Sequence, residues 1–176
     1  MKPVRASLII VALAGLLLSG CVAAAPKPAP DASTLEGFGD ALAVELAWFD
    51  NVYAATDIEE GEISERVAGL SVLGGPIVNE AVTRKIADSA LSVGAGYEGS
   101  LERTTVVVDD WEVLEMNDAW EVIDTGGDTV TVVYAMHYVR ELEELGDDRW
   151  EQVVEYEVTF DAELANVTAI EIRDSP

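Results

Sequence analysis

The chain is 176 residues long, enough for one hydrophobic core and too short for two. Thirty-four acidic residues against ten basic ones give a net charge of −24, which sets the protein against nucleic acid and anionic lipid headgroups as partners. Cys21 is the single cysteine, so no intrachain disulfide can form and the fold has to rest on its packing.

Lys2 and Arg5 precede the apolar run Leu8 to Leu18, after which come Ser19, Gly20 and Cys21. A basic start, a short apolar stretch and small residues at its end describe a removable signal peptide over residues 1–20. The apolar run falls short of the roughly 20 residues of a spanning helix. Leu18-Ser19-Gly20-Cys21 resembles the lipobox of bacterial lipoproteins. That resemblance implies transfer of diacylglycerol to the Cys21 thiol, cleavage before it, and an extracytoplasmic domain held to the cell membrane by lipid. Removal of Lys2 and Arg5 with the leader takes two positive charges and leaves −26. Residues 21–34, with prolines at 26, 28 and 30, favour an extended polyproline segment and read as a semi-rigid tether. A single acidic domain should occupy 35–176.

The first helix is predicted from Leu42, Leu46, Phe49 and Tyr53, with Val44, Trp48 and Val52 as a second apolar stripe beside them. A face that broad is expected to lie on a sheet. Thr56 with Glu59, or Asp57 with Glu60, offers a capping box for a second helix carrying Ile63, Val67 and Leu70. Gly74-Gly75 breaks that helix, and Pro76 suits the first position of a third, through Val78, Val82 and Ile86.

Beyond Leu101 the period becomes two and β-branched residues dominate, at 104–108, 129–133 and 153–160. Turn residues at 125–128, 146–148 and 161–166 separate the runs into an antiparallel meander. Parity puts Val130, Val132, Tyr134, Met136 and Tyr138 on one side, and Trp150, Val154, Tyr156, Val158 and Phe160 on one side of the next strand. These are the expected core faces. Glu151, Glu155, Glu157 and Asp161 take the solvated side. Helices first and strands afterwards make an α+β domain with N-terminal helices packed on a curved antiparallel sheet.

Leu46-Ala47-Trp48-Phe49 and Tyr53 in an N-terminal helix, two more helices and long antiparallel strands resemble the ketosteroid-isomerase and nuclear-transport-factor-like superfamily in element order. The resemblance implies a cone-like cavity and dimerisation through the sheet, without implying catalysis. Trp48, Tyr53, Tyr134, Tyr138 and Tyr156 are its candidate cavity lining, although the same aromatics could simply fill a core. Arg140 shares the parity of Tyr134 and Tyr138. It is placed at a cavity mouth to orient an anion, or else paired with Glu141 or a neighbouring strand.

No motif points to a catalytic group, a metal site or a cofactor. Gly94-Ala95-Gly96-Tyr97-Glu98-Gly99 satisfies GxGxxG, yet a helix precedes it and a strand follows, the reverse of what a dinucleotide needs. His137 is the sole histidine and lies on the outer parity. The acid-rich stretches 57–62 and 141–148 lack the ligand alternation of a calcium loop. Asp109, Asp110 and Asp118 are strand-end acids without a recognisable base or nucleophile beside them. The expectation is a lipid-anchored, non-catalytic envelope protein that binds a protein partner or a small apolar ligand. The alternative is an isomerase or dehydratase using a cavity carboxylate and a tyrosine. The acidity serves solubility, or else attracts cations or a basic partner.

Overall fold

The computed structural model describes residues 30–54, 59–95, 101–115, 129–142 and 149–173. Residues 1–29 with Cys21, Thr56 and Asp57, Gly96 to Gly99, Asp118 and most of the acidic stretch 141–148 lie outside them. Three helices pack on a curled five-stranded sheet, an α+β fold as expected.

Helix α1 spans Ala32–Ala54. It takes in Ala32 to Thr34, which the proline-rich composition assigned to the tether. The chain turns helical there because the Asp31 carboxylate accepts bonds from the Ser33 amide and from the Ser33 and Thr34 hydroxyls. These bonds, Thr34 first, hold its pKa below the usual carboxylate range. Leu35, Phe38, Leu42, Leu46 and Phe49 form the buried stripe. The second stripe does not join them as a unit: Val44 is 63% exposed, and Trp48 is only partly covered.

Helix α2 (Glu60–Gly69) buries Val67, and Glu59 precedes it without a side-chain cap. Pro76 does not open a helix. Gly74 and Gly75 adopt φ of +58° and +120°, turning the chain so that Ile77–Val78 runs as strand β1. A Cβ on Gly74 would collide with the backbone carbonyl of Gly37. Helix α3 spans Glu80–Ala95, and the Asn79 side chain accepts from the Val82 amide at 3.0 Å. Asn79 is therefore the cap that sets the helix start, three residues beyond the proline.

Strands β2 (Leu101–Glu115), β3 (Thr129–Leu142), β4 (Arg149–Asp161) and β5 (Asn166–Arg173) form the antiparallel run. The sheet order is β1-β5-β4-β3-β2, with β1 parallel to β5. β3 and β4 pair without a register shift from Thr129↔Asp161 to Glu141↔Arg149. The predicted parity holds: Val132, Tyr134, Met136, Tyr138, Tyr156, Val158 and Phe160 are all buried under the helices, while Glu151 is exposed.

The β2 edge is bonded to α1 at Thr104. The Thr104 amide donates to Asn51 Oδ1 at 2.6 Å, and Asn51 Nδ2 donates to the Thr104 carbonyl at 2.8 Å, so one side chain imitates a neighbouring strand. Asn51→Ala removes both bonds from a partly buried strand edge. It should cost about 1–3 kcal/mol in denaturant unfolding, and faster hydrogen exchange at the Thr104 amide would locate the loss.

Candidate functional site

The aromatic residues of the concave face meet the helices and fill the space between. Phe38 packs edge-on against Phe160, with ring centroids 4.9 Å apart. The Tyr134 hydroxyl donates to the Leu35 carbonyl at 2.9 Å, which fixes α1 to the middle of β3. Tyr138 and Tyr156 lie on adjacent strands with their hydroxyl oxygens 2.7 Å apart, and Ser89 of α3 touches Tyr156 at 3.5 Å.

Arg140 is not at a mouth. It is 1% exposed and forms a two-pronged ion pair with Asp50 of α1, Nη2 to Oδ1 at 2.6 Å and Nε to Oδ2 at 3.1 Å. Trp150 covers its guanidinium from β4 at 4.1 Å. Arg140 follows the inward parity of β3 toward the helix, where Asp50 is its ion-pair partner, while the neighbouring strand β4 supplies the stacked Trp150. Planar, two-pronged pairing of this kind suits arginine where a carboxylate is removed from water.

Burial raises the pKa of Tyr134, Tyr138 and Tyr156 above the ordinary 10.0; for Tyr138 the neighbouring Tyr156 and Asp50 add to the rise. An unfolded chain releases phenolic protons near pH 10 and the native one resists. The stability these phenols contribute is therefore whole below pH 10 and declines above it. Tyr134 and Tyr138 each lower the unfolding free energy by about 1.4 kcal/mol per pH unit in that range, and Tyr156 adds in the same direction. Urea titrations between about pH 9 and about pH 11 should show this decline, with phenolate absorbance appearing together with unfolding rather than before it.

An opening lies where α3 meets the end of β5. Ile170, Ile172 and Tyr156 line a mainly apolar groove of about 340 Å³, with Ser89 beside Tyr156 and the exposed Lys85, Asp88 and Glu171 around it. Ile172 is 43% exposed although it occupies the inward side of β5 opposite Tyr156. The helix layer stops short of it. This volume lies in the range of small-ligand sites.

A second hollow of about 620 Å³ separates α1 from α2. Trp48 belongs to it: Arg66 stacks on the indole at 5.0 Å and bonds both oxygens of Glu45, at 2.6 and 2.9 Å. Glu62 and Glu65 line the remainder. Of the expected cavity lining, then, Tyr156 reaches the groove, Tyr138 is bonded to it from behind, Tyr134 is core, and Trp48 faces another hollow. Tyr53 closes α1, and its side chain lies outside the described residues. Asp50, Ser89, Ile170 and Ile172 were missed. Asp50 had a signal, an acid beside Phe49 on an apolar helix face; Ile172 had none without knowing where the helix layer ends.

The helix-then-strand order around Gly94 stands, with α3 ending at Ala95 and β2 starting at Leu101. Among the described residues no three His, Cys, Asp or Glu side chains converge to hold a metal. None of the described helices is long and apolar enough to cross a membrane. Comparison with protein-family models, curated proteins and solved structures finds no match.

Proposed function

We propose that the protein is a lipid-anchored, extracytoplasmic binding protein of the cell envelope, non-catalytic, with the α3–β5 groove as its binding site. The observation that carries this reading is the contrast between the interior and the groove. Inside, both oxygens of Asp50 are engaged by Arg140, and the Tyr134 hydroxyl is bonded to the Leu35 carbonyl. An isomerase or dehydratase would need an acid open to substrate, and Asp50, the most deeply buried carboxylate among the described residues, is closed off. At the groove, by contrast, Ile170 and Ile172 present apolar surface beside hydroxyls. Such a lining favours a ligand with an apolar face and few polar groups.

The lipobox supports the anchor, and the order of helices and long strands supports kinship with the ketosteroid-isomerase-like superfamily. Native mass spectrometry of the full chain, extracted in detergent from its host, tests the binding reading. A bound molecule or partner lost in Ile172→Lys, with the fold intact, is the expected result. Turnover of a substrate that Asp50→Asn abolishes while leaving the protein folded would replace this reading with the enzymatic one.

A further inference from the structure

The groove lies along an edge of the sheet. β1 accompanies β5 only at Asn166 and Val167, where the Ile77 amide donates to the Ala165 carbonyl at 2.7 Å. Past that point, residues 168–173 have no strand on that side among the described residues. Six residues of extended chain span about 20 Å, a typical strand length. Lys85 reaches over from α3 to Glu171 at 3.3 Å. Both side chains stay open to water, at 57% and 71% exposure, so this contact screens the edge without sealing it.

We infer that β5 accepts an extended peptide as an added strand past β1, a peptide alternating apolar residues toward the groove with basic residues on the outer side. This rests on the groove being the binding site. Alternation follows from the sheet, since one side of an added strand faces Ile170 and Ile172 and the other continues the row of Glu171 and Glu157. The basic requirement follows from charge. Arg173 reaches Glu155 and Glu157 only at 3.6 and 3.9 Å, and a chain of net charge −24 has ample uncompensated carboxylate to draw a cationic segment in. Main-chain bonds would supply the affinity, the two isoleucines the register, and Glu171 the preference for lysine or arginine over acid. Lys85 would have to leave Glu171 for the strand to enter.

The test uses the full chain in detergent with fluorescein-labelled peptides of roughly eight residues. One alternates valine and lysine, a second holds the same residues in two blocks, and a third is the alternating peptide with every other backbone amide N-methylated. Anisotropy should show the alternating peptide binding about tenfold more tightly than either control, with Lys85→Ala tightening it severalfold and Glu171→Lys weakening it about tenfold. Amide exchange should slow within Thr168 to Arg173 when that peptide binds. Equal binding of the blocked or N-methylated peptide, or unchanged exchange at β5, would reduce the effect to bulk charge attraction and overturn strand addition. Uptake of the neutral dye Nile red, lost in Ile172→Lys, without peptide binding would overturn the peptide and keep the groove. Failure of both probes would overturn the two readings together.

Discussion

Asp50→Leu should lower the unfolding free energy by about 3–5 kcal/mol, and Arg140→Met should do nearly the same. Either substitution leaves one charge in the interior with its partner gone, and the survivor sits at 1% exposure or less, between α1 and β3. The loss measures the penalty of an orphaned charge rather than the worth of the pair. The double variant Asp50→Leu/Arg140→Met should therefore recover most of the stability, since two apolar side chains of similar bulk remove both charges at once. Trp150, which covers the guanidinium, would then lie on the methionine thioether instead. Urea unfolding of the four proteins checks this. A double variant as unstable as either single would show that the pair itself supplies the stability, and singles within about 0.5 kcal/mol of the parent would mean that water reaches the site.

Cys21→Ala should release the protein from the membrane completely. One acyl chain of myristoyl length holds a bilayer with about 5.5 kcal/mol, so the two of a diacylglyceryl group supply about 11 kcal/mol. Nothing in the charge of the chain replaces that, because a net −24 is repelled by anionic headgroups. Fractionation of cells expressing each form, with an alkynyl fatty acid to report acylation, gives the result directly. The parent should be labelled and sediment with membranes, the variant unlabelled and soluble. A variant that stays with the membrane would reveal a second attachment surface, and an unlabelled parent would remove the lipid anchor from the proposal.

The strand half of the fold is legible residue by residue because a buried sheet face imposes a strict period of two. Tyr134, Tyr138 and Tyr156 fall on the core side by counting alone. The helices are less so. Pro76 and Asn79 both offer a helix start, and the choice is made by a distant strand: Ile77 and Val78 find a parallel partner in β5, which keeps the chain extended until the asparagine cap. The first turn of α1 hides in the same way, since Asp31 follows a proline-rich stretch and its cap depends on Ser33 and Thr34. Arg140 illustrates why the site itself was harder. Inward parity is visible in the sequence, but the partner lies 90 positions away on a helix, and no local pattern names it. Nor does any local pattern show that the helix layer ends before Ile172.

The two edges of the sheet are treated unequally. A strand approaching β2 meets α1 at Thr104, where Asn51 already occupies the backbone groups, whereas among the described residues β5 past Asn166 and Val167 is screened by the surface pair of Lys85 and Glu171. Fibrous growth by edge-to-edge stacking needs a donor and an acceptor edge on every molecule. A strand approaching β2 at Thr104 would have to displace Asn51 from both backbone groups, so edge-to-edge growth is obstructed at that point.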